Sequence, residues 1–132
     1  MHNNYHIEED EILKVIKSFN ESFLKNETEK YFSFIIDDFT LFIPNSPYRI
    51  DGKILDKEEF EYSLKSGKSR VWLFQMLQPR VQILGETAVV SFYSRGGFGT
   101  SINESNIIFY KITDVLAKEN NEWKIVHIHV SK

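Results

Sequence analysis

The second half of the chain is built from extended segments joined by short turns, and no other feature constrains the fold as strongly. The segments are rich in β-branched and aromatic residues, which favour strands. Gly85–Glu86 and residues 119–122 are predicted to form tight turns. Because strands that follow one another through short turns usually pair side by side, the pattern predicts an antiparallel meander of Val71–Leu84, Thr87–Arg95, Asn106–Lys118 and Trp123–Lys132.

The first half of the chain predicts helices instead. Apolar residues recur at helical spacing between Glu8 and Lys25, a shorter helix is expected after Thr28, and the segment from Asp56 to Gly67 predicts a third helix. Residues 1–7 are expected to form a loose N-terminus. Three helices packed across a long, curved antiparallel sheet would make an α+β fold, a cone with an interior pocket. The length of 132 residues suits a single domain, residues 1–132.

Composition argues against several classes of function. The formal net charge is −3 and no basic run is present, so nucleic acid is not an expected partner. Cysteine is absent, which removes disulfides, thiolate metal sites and cysteine nucleophiles. No signal peptide or membrane span is evident, so a cytoplasmic protein without a membrane partner is expected. No cofactor is predicted, because the glycines at 96–99 lack the helix and lysine of a phosphate-binding loop.

Strict alternation along two strands predicts which side chains share a face. In the second strand of the meander, one face would carry Val89, Ser91, Tyr93 and Arg95. In the last strand, one face would carry Trp123, Ile125, His127 and His129. The opposite face of that strand would carry a set suited to a buried dimer surface, namely Val126, Ile128 and Val130.

Several spaced motifs resemble the NTF2-like, or SnoaL-like, superfamily. Within it, the chain is most similar to the association domain of calcium/calmodulin-dependent kinase II and its bacterial relatives. The resemblance covers nearly the whole chain and implies the cone-shaped NTF2-like fold and a homodimer or a higher oligomer. The motifs are Pro79–Val81, Gly85–Ala88, Tyr93–Arg95 and "WKIVHIHVS" at Trp123–Ser131.

The resemblance also places Arg95 in the pocket, where an arginine fork could hold a carboxylate. Asp114 stands where the resemblance implies a second pocket arginine. Either Arg95 and Asp114 form a buried ion pair across adjacent strands, or Arg95 contacts a ligand, and the sequence leaves both possibilities open.

His127 and His129 could be hydrogen-bonded structural residues or could act in acid–base chemistry. A metal site would need a third ligand, and the other histidines, His2 and His6, lie in the expected loose N-terminus. No metal site is therefore predicted. Ketosteroid isomerases of the superfamily use a carboxylate base and a tyrosine. Ile43 and Phe19 occupy the corresponding positions here, so that mechanism is not expected.

Three functions are compatible with the sequence. The first is a small homo-oligomeric protein whose pocket binds an apolar or weakly acidic small molecule. The second is a SnoaL-like isomerase, cyclase or hydratase with Asp114, His127 or His129 as base. The third is a self-association module of the kinase type. The residues predicted to contact a ligand are Arg95, Asp114, His127 and His129, with Tyr93 and Trp72 as pocket walls.

Overall fold

The computed structural model describes residues 2–44, 46–66, 70–99 and 105–132. Three helices and six strands lie in this part of the chain. In order they are α1 His2–Leu24, α2 Thr28–Ser33, β1 Ile35–Phe42, β2 Ile50–Asp51, α3 Lys53–Ser66, β3 Arg70–Leu84, β4 Thr87–Gly99, β5 Ser105–Glu119 and β6 Glu122–Ser131.

The strands form one curved, unclosed sheet in the order β2-β1-β6-β5-β4-β3. The meander from β3 to β6 is antiparallel throughout, as its short turns predict. β1 joins the sheet parallel to β6, and the two-residue β2 pairs antiparallel with β1 at the edge. The predicted α+β fold, with N-terminal helices packed on a curved sheet, is confirmed.

Alternation along the strands divides the sheet into two faces. The inward face, which the helices cover, carries the buried residues Ala88, Val90 and Phe92 of β4 and Ile112 and Leu116 of β5. The outward face carries the residues between them. Because the inward side chains are almost entirely apolar, their burial against α1 provides most of the driving force for packing the helices on the sheet.

An aromatic cluster joins the three helices to one another. Tyr31 of α2 stacks on Phe19 of α1, with ring centroids 4.6 Å apart, and lies 5.0 Å from the ring of Phe60 in α3. Phe23 of α1 reaches Phe74 of β3, with centroids 6.2 Å apart. Such contacts each add about 0.5–1.5 kcal/mol beyond the area that they bury. The position of the helices over the sheet therefore depends on Tyr31.

Element boundaries differ from the prediction in three places. α1 is helical from His2, within the segment that was expected to be loose. α3 begins at Lys53, so Asp56 lies in its first turn rather than before it, and Gly67 lies outside the described residues. The glycines at 96–99 belong to β4 and pair with β3 and β5, so this strand continues beyond its predicted end at Arg95.

A close contact with Trp72 explains why β4 has a glycine at position 97. The indole ring of Trp72 lies against the Gly97 backbone, and a Cβ at this position would approach its Cζ2 atom to 2.6 Å. Only glycine leaves room for the ring. Within the described residues, no helix is both long and apolar enough to cross a membrane.

We expect Gly97→Ala to destabilise the protein by about 1–3 kcal/mol, because the new methyl group must displace the Trp72 ring. In a Trp72→Ala background the same substitution should be much less destabilising, since the ring is gone. Urea unfolding of the four variants measures this coupling. An equal effect of Gly97→Ala in both backgrounds would contradict the steric explanation.

Candidate functional site

A bulge in β6 places both histidines on the outward face. Val115 of β5 faces His127, but the next residue, Leu116, faces Ile125, so Val126 has no partner in β5. One extra residue reverses the alternation that follows it. The predicted face shared by Trp123, Ile125, His127 and His129 is therefore wrong: the tryptophan and isoleucine are buried, whereas the histidines lie outward.

The same bulge overturns the predicted dimer surface of Val126, Ile128 and Val130. Ile128 is buried in the core, directly beside Asp114, and Val130 packs against the core beside Ile112. Ile128 and Val130 therefore face the helices, and neither is available for contact between subunits through the outward face.

Arg95 and Tyr93 also lie on the outward face. Tyr93 is 50% exposed, and the Arg95 guanidinium donates a hydrogen bond of 3.1 Å to the Gln75 side chain of β3. Asp114 is paired with Val90 on the inward face, and Arg95 is paired with Phe109. Because the two residues lie on opposite faces, the ion pair between Arg95 and Asp114, one of the two possibilities that the sequence left open, does not form. By the same alternation Gly97 faces outward, so Trp72 packs on that side rather than forming an interior wall.

His127 is held in place on the outward face by a neighbouring strand. Its Nδ1 atom is 2.7 Å from the hydroxyl oxygen of Thr40 in β1, and Phe42 packs against both histidine rings. Partial burial and the neighbouring His129 lower the pKa of His127, which favours the neutral imidazole. Neither histidine reaches the inward face, so the predicted use of a pocket histidine as base is not supported.

Asp114 is the one predicted ligand residue that lies in the interior. Its side chain is 1% exposed, between the register neighbours Val90 and Ile128, and Leu41 lies next to Ile128 in β1. Neither carboxyl oxygen has a hydrogen-bond partner among the described residues. Burial raises the pKa of Asp114 from 3.8 to about 8, so the group is mostly protonated at neutral pH. It can donate a hydrogen bond there, whereas the predicted role of base would require the ionised form.

The sequence alone does not identify a second buried acid, Asp56. The hydroxyl of Tyr31 donates a 3.2 Å hydrogen bond to the Asp56 carboxylate, and both residues are buried. Burial raises the pKa of Asp56 to about 6, partly offset by this hydrogen bond. Burial also raises the pKa of Tyr31, with further contributions from the charges of Asp56 and Asp114. The sequence signal was an aspartate in the first turn of α3, which suggests a helix cap rather than an interior group.

The outward face carries a mixed aromatic, aliphatic and cationic surface. Leu77 pairs with Tyr93, and Phe109 pairs with Arg95 and is 58% exposed. Phe42 and Ile107 are also partly exposed on this face. Exposed apolar residues are ordinary when scattered, but a group on one sheet face is typical of an interface. In the described residues, no three histidine, aspartate or glutamate side chains are arranged to hold a metal ion.

A cleft separates α1 from the edge strand β3. It is lined by Lys17, Asn20, Glu21 and Leu24 of α1 and by Phe74 and Met76 of the inward face of β3, and its volume is about 200 Å³. The amide nitrogen of Asn20 is buried and has no acceptor within the described part of the chain. Ser94, directly beside Met76, likewise has a buried hydroxyl with no partner there.

The family model of the calcium/calmodulin-dependent protein kinase II association domain matches residues 8–132. The chain belongs to this association-domain family. A comparison with curated protein sequences gives no significant match.

Solved structures that are similar to this chain include members of the association-domain family and other NTF2-like proteins. The association domain of Caenorhabditis elegans CaMKII has a TM-score of 0.75 and 20% identity, covering 96% of this chain and 97% of that one. An NTF2-like protein of unknown function from Pseudomonas putida has a TM-score of 0.82 and 19% identity, covering 96% and 87%. A Catenulispora acidiphila protein in complex with S-DNPA has a TM-score of 0.81 and 10% identity, covering 95% and 92%. At these identities the likeness establishes the NTF2-like fold alone.

The raised pKa of Asp114 predicts a specific pH dependence of stability. Between about pH 4 and about pH 8, Asp114 is protonated in the folded protein and ionised in the unfolded chain. The unfolded chain then binds fewer protons, so this group makes the free energy of unfolding fall as the pH rises through that window.

We expect Asp114→Asn to remove this contribution, which amounts to as much as ~1.4 kcal/mol per pH unit. Urea unfolding at several pH values in the window measures the difference from the wild-type protein. Asp38→Asn, the same substitution at an exposed position of β1, serves as the control. Parallel pH profiles for wild type and Asp114→Asn would show that the buried carboxyl is not protonated.

Proposed function

We propose that the protein is a homo-oligomer whose interior binds a small, largely apolar molecule. The observation that carries the ligand-binding part is Asp114, a fully buried carboxyl that has no hydrogen-bond partner among the described residues. An unsatisfied buried polar group destabilises a fold by about 1–3 kcal/mol, and an apolar residue of similar size would avoid this penalty. Proteins retain a destabilising buried polar group of this kind mainly at positions where function requires it.

Asp114 would present a hydrogen-bond donor to the ligand, because its carboxyl is protonated at neutral pH. A protonated acid in an apolar site is suited to a carbonyl or other neutral acceptor. The apolar side chains of Val90, Ile128 and Leu41 around it favour an apolar ligand body. An enzymatic role would begin from the same contact, with Asp114 as acid rather than base. The S-DNPA complex of the Catenulispora acidiphila protein is consistent with ligand binding on this fold.

Native mass spectrometry of protein isolated from its own host tests the ligand-binding proposal. We expect a bound small molecule in wild type and in Asp38→Asn, and its loss in Asp114→Leu. Asp114→Leu should also unfold at higher urea concentration, because it removes an unsatisfied buried group. A ligand that is retained by a folded Asp114→Leu variant, or no ligand in any sample, would contradict the proposal.

The outward sheet face is the proposed contact between subunits. Two observations support it: the chain belongs to a family named for association, and this face groups Phe42, Leu77, Tyr93, Ile107 and Phe109 in partly exposed positions. A second copy of the chain could bury these residues face to face. This surface replaces the predicted one, which the bulge turns inward.

Phe109→Glu should weaken self-association by about 100-fold or more, because it replaces an aromatic contact with a charge that must be desolvated. Sedimentation velocity over a range of concentrations measures the assembly state. Ile54→Glu places the same charge on an exposed isoleucine of α3, away from the sheet, and should sediment like wild type. A wild-type monomer, or unchanged assembly of Phe109→Glu, would argue against this interface.

A further inference from the structure

The cleft between α1 and β3 combines an apolar surface with hydrogen-bond donors at one side. Lys17, Asn20, Glu21 and Leu24 follow one another at positions i, i+3, i+4 and i+7, so they form a single stripe of the helix. Phe74 and Met76 face this stripe from alternate positions of the edge strand. The ring of Phe74 makes an edge-to-face contact with the ring of Phe23 in α1, and this contact holds it in place.

The polar groups that line the cleft offer more hydrogen-bond donors than free acceptors. Glu21 accepts a 2.6 Å hydrogen bond from Lys25, so its negative charge is already paired. Lys17 has no ion-pair partner in the described ranges, and the amide nitrogen of Asn20 one turn later is buried without an acceptor. An ammonium group and an amide N–H₂ on adjacent turns are together suited to the two oxygens of a carboxylate.

The apolar part of the cleft suits a compact hydrocarbon group. The volume of the cleft is about 200 Å³. Leu24, Phe74 and Met76 would contact such a group on three sides. Ser94, the register neighbour of Met76 on the inward face, has a buried hydroxyl without a partner among the described residues.

We propose that the cleft between α1 and β3 binds small carboxylic acids with an apolar body, with Lys17 and Asn20 holding the carboxylate against Leu24, Phe74 and Met76. This inference rests on the proposed binding function and names its ligand class and its binding surface. It assigns the acid-binding cation to Lys17, in α1, rather than to Arg95, which lies on the outward face.

Three probes of one shape test the charge requirement: phenylacetate, the neutral phenylacetamide and the cationic phenethylamine. Chemical shifts of amide groups in α1 and β3 are followed by NMR during each titration. We expect phenylacetate to bind about tenfold more tightly than phenylacetamide, a difference of about 1.4 kcal/mol, and phenethylamine to bind most weakly. Equal affinities for the three probes, or no shift change with phenylacetate at about 10 mM, would overturn the proposal.

Substitutions of residues that line the cleft test whether phenylacetate binds there rather than in the interior. Lys17→Met removes the charge but retains an unbranched stem, and Asn20→Asp replaces the donor by a carboxylate of the same shape; each should weaken phenylacetate binding about tenfold. Lys14→Met, an exposed lysine one turn earlier that does not line the cleft, is the control. Unchanged affinity in both Lys17→Met and Asn20→Asp would refute the cleft.

Asp114→Leu distinguishes failure of the cleft from failure of the proposed binding function. Phenylacetate binding that survives Asp114→Leu but is lost in Lys17→Met supports the cleft and removes Asp114 from ligand contact. Binding that is lost in Asp114→Leu but survives in Lys17→Met overturns the cleft and leaves the interior site in place.

Discussion

The alternation of side chains along the long strands, and the bulge that interrupts it in β6, control most of the molecule. From β3 to β6, each inward residue pairs with an inward residue of the next strand, which builds one continuous apolar surface for α1 and Tyr31 to cover. At Val126 the β6 strand contains one residue more than β5, and the pairing with β1 shifts at the same level. Without this bulge, His127 and His129 would enter the core and Ile128 would leave it. The bulge thus keeps two imidazoles out of the interior.

Among the described residues the interior nevertheless contains two carboxyl groups, and they differ in how they are accommodated. Asp56 lies at the start of α3 and accepts a hydrogen bond from Tyr31, the same residue that joins the three helices. Asp114 lies in the middle of the sheet among apolar neighbours and is accommodated by taking up a proton. The first group stabilises the packing of the helices, whereas the second weakens the fold at neutral pH. A group that destabilises the core without a structural benefit is the strongest indication of a binding function in the interior.

The two faces of the sheet divide the proposed functions between them. Arg95, Tyr93 and Phe109 give the outward face a composition that suits contact between subunits, since aromatic residues and arginine are enriched at interfaces. The inward face and its cleft with α1 are the surfaces on which we propose that a small molecule binds. Because different faces of the same strands serve the two roles, assembly and ligand binding can be altered by separate substitutions. Phe109 and Lys17 are examples on opposite sides of the sheet.

The sequence by itself determined the fold class, the meander and the family, because these depend on local periodicity, turn residues and motifs spread along the chain. The family resemblance also identified Asp114 as a candidate pocket residue. Alternation correctly placed Tyr93 and Arg95 on one face of β4, but one strand does not show which face meets the helices. The family resemblance assigned that face to the pocket, whereas in the structure it is the outward face. The histidines were misplaced because a bulge adds a residue without a local sequence signal, and it is defined only by pairing with β5. The hydrogen bond between Tyr31 and Asp56, and the cleft of Lys17, Asn20 and Phe74, join segments far apart in sequence. Only tertiary packing brings such groups together, since no local pattern encodes the distance between separate elements.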